Sequence, residues 1–329
     1  MKILVRLPNW LGDVIMGTAF IHELRKQYPH AAIHVIAKKE LADIVHGIAG
    51  ISQIHLFSKT VHPGARGALR FGRLLKSYRF DLFFSLPDSF SAALMGYATG
   101  AKKRVGFKSE MRSFLFTKTY KKPDGLHRVE EYLYLLEQFT GKKQDQPRVS
   151  LLPPNEKDTK RDLILVNFNS EASSRRLPLD KAVSLTKKLA QELPDCQLGF
   201  IGSPKESAYI TAILAQIPST GRVRNYAGKT SLKELMVLLA SCRILLSTDS
   251  GPAHVANSFD TPCLVLFGAG NEKNTRPYNQ DHLRIIRAGK LACEPCVKNT
   301  CTLYPTPECM HLLDEQLIID ELKAVLTHE

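Results

Sequence analysis

Ile244-Leu245-Leu246-Ser247-Thr248-Asp249-Ser250-Gly251-Pro252-Ala253-His254-Val255-Ala256 reads as an apolar strand that breaks at an acidic, glycine-bearing turn and restarts as a helix. Strand, turn and helix in succession is the repeating unit of parallel α/β sheets. The turn itself suits an anion. Ser250 and Gly251 leave backbone N–H groups at the helix start, Pro252 fits the first turn because it lacks a donor, and the helix dipole favours negative charge there. Asp249 can cap the helix or hold a ligand hydroxyl, and His254 lies about one turn further on, within reach of the same ligand. The same residues also read as a plain helix cap followed by a core histidine.

A second strand-to-helix passage lies at the other end of the chain. Lys2-Ile3-Leu4-Val5-Arg6-Leu7 is a buried-strand pattern, and Pro8-Asn9-Trp10-Leu11-Gly12-Asp13 leads into a helix with apolar positions Val14, Ile15, Ala19, Phe20 and Leu24. Asp13 therefore stands at the carboxyl end of the first strand, where open α/β sheets bind ligands. It is a helix-start carboxylate or a general base facing a cleft.

Between these passages strands and helices alternate twice. Residues 32–37, 54–57 and 80–86 continue the first set of strands; residues 163–168, 198–201, 243–248 and 263–267 form a second. A polar stretch over about 144–160, carrying Pro147, Pro153 and Pro154, predicts an extended linker between two parallel-sheet domains. Residues 314–326 repeat apolar side chains at helical spacing, at Leu317, Ile318, Leu322 and Leu326.

Composition is compatible with two globular domains: 329 residues, 44% hydrophobic and 23% charged, which fits neither a disordered nor a membrane-spanning chain. Arg6, Pro8 and Asp13 interrupt any signal-peptide core, so a cytoplasmic location is expected. A net charge of +13 calls for an acidic partner (nucleic acid, anionic membrane or acidic glycolipid) or only a basic, soluble surface. The basic residues gather at Lys59, His62, Arg66, Arg70, Arg73 and Lys76, and again at Lys102, Lys103, Arg104, Lys108 and Arg112.

Several stretches, taken in order, carry a resemblance: Gly12-Asp13; Leu86-Pro87-Asp88-Ser89-Phe90-Ser91-Ala92-Ala93-Leu94; Arg104-Val105-Gly106-Phe107; His127-Arg128-Val129-Glu130-Glu131-Tyr132; and Asp249-Ser250-Gly251-Pro252-Ala253-His254. On these the chain resembles the bacterial ADP-heptose:lipopolysaccharide heptosyltransferases. Ser89-Phe90-Ser91-Ala92-Ala93 and Ser109-Glu110-Met111-Arg112 are most similar to the members that add the second heptose.

The resemblance implies an α/β fold of the GT-B type, two Rossmann-like domains facing a central cleft. Residues 1–155 would bind the acceptor and 156–329 the nucleotide-sugar donor, with a C-terminal helix that could return to the first domain. It implies inverting transfer of heptose from ADP-heptose to a heptose of the inner core, with Asp13 as base and Arg175 on the donor diphosphate. Glu206 would hold the ribose, Gly228 and Thr230 would lie by the adenine, and Asp249, Ser250, Gly251 and His254 would position the donor. Arg66, Arg70, Arg104 and Arg112 would meet the acidic acceptor at the cytoplasmic face of the inner membrane, where the protein would be peripheral. No organic cofactor or catalytic metal is implied. Leu177 replaces an aromatic residue common after the loop cations, which leaves the sugar packing there open.

Local readings stand beside these roles. Arg175 and Arg176 also read as exposed loop charges, Glu206 as a helix-start glutamate, and Ser231 with Glu234 as a capping box. Cys293, Cys296, Cys301 and Cys309, spaced C-x2-C-x4-C-x7-C, suit a structural zinc or iron unconnected with transfer, or four reduced thiols. A nicotinamide-dependent oxidoreductase is disfavoured because the first strand lacks G-x-G-x-x-G. A nucleic-acid-binding protein would use the charge, but no recognised motif accompanies it, so no specific nucleic acid is expected. Another nucleotide-sugar transfer within the same family is the nearer alternative.

Overall fold

The computed structural model describes residues 1–154, 161–218 and 221–327. The chain divides into two compact units, Met1–Leu152 and Pro153–Glu329. The expected change of domain at 155/156, with the second half of the linker, lies outside the described residues.

In the first unit, β1 (Lys2–Arg6), β2 (Ala32–Lys38), β3 (Gln53–Phe57), β4 (Leu82–Ser85), β5 (Lys103–Phe107) and β6 (Lys118–Tyr120) form one sheet in the order β3-β2-β1-β4-β5-β6. All its pairings are parallel. Ile3, Leu4 and Val5 are wholly buried because helices cover both faces of the sheet, which is why the strand is an unbroken apolar run rather than an alternation. The helix Leu11–Gln27 buries every apolar position expected of it and packs against the helix Arg128–Thr140. Gly96, on the helix Phe90–Ala98, is required by contact: a Cβ there would lie 2.1 Å from the Phe83 ring of β4.

The second unit repeats the plan. β7 (Arg161–Asn167), β8 (Gln197–Phe200), β9 (Val223–Asn225), β10 (Cys242–Thr248), β11 (Cys263–Phe267) and β12 (Leu283–Arg287) are ordered β12-β11-β10-β7-β8-β9, again all parallel. Counted from its own first strand, this is the order of the first sheet. In each, the two central strands, β1 with β4 and β7 with β10, mark where the winding reverses, and the crevice at their carboxyl ends is the favoured ligand position of such sheets.

The C-terminal helix, Glu315–Thr327, packs within the second unit. Ile318, Ile319, Leu322 and Leu326 join Ile164, Val166 and Leu246 in the core of the second sheet, the apolar stripe being satisfied locally. Among the described residues no helix is long and apolar enough to cross a membrane.

Candidate functional site

Asp13 lies in the first turn of the helix that follows β1, at the switch point of the first sheet. Its Oδ1 is 3.8 Å from Arg128 Nε, an ionic approach too long for a hydrogen bond. Arg128 in turn meets Glu131 at 2.7 Å, Lys122 joins Glu131 at 3.1 Å and Asp88 at 2.9 Å, and Arg112 closes on Asp88 at 2.6 Å. Charges thus alternate along this edge. Burial works against the Arg128 cation, but Tyr132, Glu131, Asp13 and Asp88 hold its pKa above the ordinary value. Burial, and then the Asp13 charge, push the Tyr132 phenol well up.

The arginines expected to meet the acceptor divide into two kinds. Arg66 and Arg70 project from the exposed face of the helix Gly64–Leu74. Arg104 donates to the carbonyls of Leu115 (2.9 Å) and Ala101 (2.7 Å), and its guanidinium lies over the Tyr97 ring. Arg112 is buried and donates to Pro87 O as well as to Asp88, so it shapes the edge from within.

In the second sheet Asp249 follows β10 directly and is only 4% exposed. Its carboxylate lies against the backbone of Gly270, where a Cβ would come within 2.1 Å of Oδ2; only glycine leaves room. Arg175, ending the 3-10 turn Ser173–Arg175, brings Nη1 to 3.1 Å from that oxygen. Burial pushes the Asp249 pKa up to about 6; Arg175 and Arg287 oppose the shift, and Glu272 adds to it. Arg287 on β12 holds the turn below, donating to the carbonyls of Gly268 and Gly270 and pairing with Glu272 and Glu294.

Ser250 stands at the N-cap of the helix Gly251–Ser258, yet its side chain does not cap. It donates instead to Thr248 O (3.1 Å) and accepts from Asn167 Nδ2 (2.7 Å). His254 is buried in the same helix. Around this helix start three buried polar atoms have no hydrogen-bond partner among the described residues: Asp249 Oδ2, Asn169 Oδ1 and Arg175 Nε. The ion pair at Asp249 is therefore close without hydrogen-bond alignment. Buried polar atoms are nearly always satisfied, so such a cluster marks a place for a polar ligand.

The remaining donor candidates follow along the same edge in strand order. After β8, Glu206 accepts the Ser203 N–H at 2.7 Å and closes a capping box, so one carboxylate oxygen is engaged locally. After β9, Gly228 adopts φ 72° and donates to Gly202 O at 2.9 Å, joining the two loops. Thr230 precedes the Ser231–Glu234 capping box, which forms as its spacing indicated. Asn167, Asn169, Gly270, Glu272 and Arg287 belong to this edge but are missing from the reading of the sequence. Asn169 opens the polar loop after β7, the one signal that could have brought it in.

All four clustered cysteines line one cavity of about 70 Å³, with Ser174, Glu294 and Lys298. Cys309 is buried, and burial followed by Glu294 and the other three cysteines raises its pKa to about 11. Among the described residues no three His, Cys, Asp or Glu side chains are grouped as metal ligands, so the geometry gives the zinc or iron reading no support beyond the spacing.

Comparison with known proteins adds the following. The model of glycosyltransferase family 9 (heptosyltransferase) matches residues 68–306. The chain is 26% identical to lipopolysaccharide heptosyltransferase 2 of Salmonella typhimurium over 100% of this chain and 99% of the relative. The structure of the E. coli ADP-heptose lps heptosyltransferase II matches with a TM-score of 0.83 at 25% identity, covering 100% of this chain and 99% of that one. A family 9 glycosyl transferase structure from Veillonella parvula matches with a TM-score of 0.86 at 20% identity, covering 100% and 98%. The two parallel sheets are thus those of the GT-B heptosyltransferase fold.

Proposed function

We propose, from the premise that this chain belongs to glycosyltransferase family 9 (heptosyltransferase) and is a glycosyltransferase, that it transfers heptose from ADP-heptose to a heptose of the lipopolysaccharide inner core, with inversion at the anomeric carbon. The observation that carries this reading is the group of buried atoms on Asp249, Asn169 and Arg175 that have no hydrogen-bond partner among the described residues, beside an uncapped helix start. Cationic donors, a buried carboxylate and helix N–H groups suit a ligand that offers both anionic oxygens and hydroxyls, as a nucleoside diphosphate sugar does. The names of the Salmonella and E. coli relatives support heptose as the sugar and the second addition as the step.

In this reading residues 156–329 bind the donor and 1–155 the acceptor. Asp13 takes the proton of the attacking hydroxyl. Arg175 and the N–H groups at Ser250 and Gly251 stabilise the charge that develops on the departing diphosphate. Asp249 and His254 orient the donor, Glu206 holds its ribose, and Gly228 and Thr230 border the base. Arg66 and Arg70 face the phosphates and carboxylates of the acceptor, and the net charge of +13 favours an anionic, cytoplasm-facing membrane surface as the place of work. No organic cofactor enters and no step runs through a metal. A structural zinc or iron at Cys293, Cys296, Cys301 and Cys309 would require those thiols to draw together across their cavity.

The test is mass spectrometry of products made from a panel of nucleotide sugars and defined core acceptors. A mass gain of one heptose from ADP-heptose, on an acceptor that already carries heptose, is expected. Transfer of a different sugar in preference, or none to any core acceptor, overturns the reading.

A further inference from the structure

The cysteine-rich segment touches the candidate donor loop through its backbone. Ser174, 1% exposed and adjacent to Arg175, donates its N–H to Asn299 O at 3.2 Å and its hydroxyl to Lys298 O at 2.5 Å. Ser173 adds a hydroxyl bond to Asn299 O at 3.3 Å. From the same segment Val297 donates its N–H to Ala269 O at 2.8 Å, within the Gly268–Gly270 turn that packs under Asp249. Val297 does so at φ 56°, a left-handed conformation that a β-branched residue adopts only when its surroundings impose it. Glu294, nearly inaccessible, fixes the base of the segment by accepting from Arg287 Nη1 and Leu291 N, both at 3.2 Å. One segment therefore holds the loop that carries Arg175 and the turn that packs against Asp249.

We propose that residues 293–301 form a brace that sets where Arg175 meets the donor, with Ser174 as the positioning residue. Arg175 has a side chain with many rotamers; apart from the approach of Nη1 to Asp249 its Nε has no hydrogen-bond partner among the described residues, so its placement leans on the backbone beneath it. Two hydrogen bonds from a buried serine fix that backbone. The cysteine cavity, which Ser174 itself lines, is the space behind the brace; a change in packing there reaches the donor loop without any cysteine touching the ligand. The inference rests on the assignment of Arg175 to the donor diphosphate.

A double-mutant cycle read by calorimetry with ADP separates the two claims. Ser174→Ala is expected to weaken ADP about five- to tenfold, the loss of one buried hydrogen bond, and Arg175→Ala at least as much. The double variant should bind no more weakly than Arg175→Ala alone, because Ser174 acts only through Arg175. If Arg175→Ala binds ADP normally, the diphosphate assignment fails and the brace fails with it. If Arg175→Ala is weakened while Ser174→Ala is not, or if the losses simply add, the assignment stands and the brace is wrong. A measurement on the unaltered protein covers the case in which Ser174→Ala does not fold. Saturating ADP should slow amide hydrogen exchange at Ser174 and Val297 about threefold or more, since coupling between sites is reciprocal; unchanged exchange at both would also overturn the brace.

Discussion

The two sheets share one strand order, yet the edges at their switch points are built on opposite principles. The edge of the first is saturated with charge: Asp13, Arg128, Glu131, Lys122, Asp88 and Arg112 neutralise one another in sequence, several of them in contact with water. The edge of the second centres on one buried carboxylate, Asp249, which burial pushes toward its neutral form; among the described residues its Oδ2 has no hydrogen-bond partner, whereas on the first edge the buried atoms without one are arginine Nε, of Arg112 and Arg128. A topology fixes where a site can be, but not what chemistry it holds. A charge-compensated carboxylate suits proton removal. A buried set of donors and acceptors, incomplete by itself, suits binding.

The sharpest way to break this contrast is Asp13→Asn, which should lower transfer about 100- to 10,000-fold while ADP affinity, read by calorimetry, stays near that of the unaltered protein. Transfer within a few-fold of normal in a folded variant would remove Asp13 from the reaction. Asp249→Ala should have the complementary effect, weakening ADP-heptose about 10- to 100-fold with little change in the KM for acceptor. Arg66→Ala with Arg70→Ala should do the reverse and more mildly, a few-fold on acceptor KM, because exposed charges contribute little each. An ADP defect in the arginine variant with none in Asp249→Ala would exchange the roles of the two edges.

Stability should carry the same contrast in its pH dependence. In the first unit His34 Nδ1 lies 3.0 Å from His55 Nε2, the two rings stacked on each other and edge-on to Tyr78 and Phe80, and burial followed by the His34 charge lowers the His55 pKa to about 4. The unfolded chain takes up that proton near pH 6.5, so stability present above 6.5 is lost as pH falls toward 4, by up to about 3 kcal/mol. Asp249 has the opposite sign: its raised pKa means that stability present at low pH is lost as pH rises from the ordinary carboxylate range through about 6. Asp249→Asn should therefore raise the melting temperature at pH 7 by an amount corresponding to about 2–3 kcal/mol, and hardly at all at pH 4, while donor use declines. His55→Phe should flatten the acid limb. Scanning calorimetry of both variants across pH 4–8 checks the pair, and equal pH slopes in variant and parent would refute the assignment concerned.

The central strands of both sheets were legible because full burial requires continuous apolar runs, as in Ile3, Leu4 and Val5 or Leu245 and Leu246. The outer strands β6 (Lys-Thr-Tyr), β9 (Val-Arg-Asn) and β12 (Leu-Arg-Ile-Ile-Arg) were not among the strands read from sequence. Covered on fewer sides, they tolerate cations and leave too short a pattern. Asp249 could be singled out because it follows a strand directly and Asp13 because it opens the helix after one, whereas Arg175 came from the family resemblance. Gly270 and Arg287 could not, since each matters through a partner distant in sequence that only pairing of β10, β11 and β12 brings near. The cysteine spacing suggested a metal centre, but spacing carries no information about where the sulfurs point.

The shared strand order also has a consequence in time. Each switch point is made by pairing strands far apart in the chain, Ile3 with Leu82 and Ile164 with Ile244, with other strands and helices intervening. Closing such long loops carries an entropic cost that early, local contacts do not offset, and non-local parallel pairing is intrinsically slow. A refolding chain should thus regain its helices and the β1–β2 and β7–β8 pairings before either crevice exists. Competence to bind nucleotide would then return later than far-ultraviolet circular dichroism, and the half-made sheets of that interval, with open central edges, are the species most exposed to aggregation.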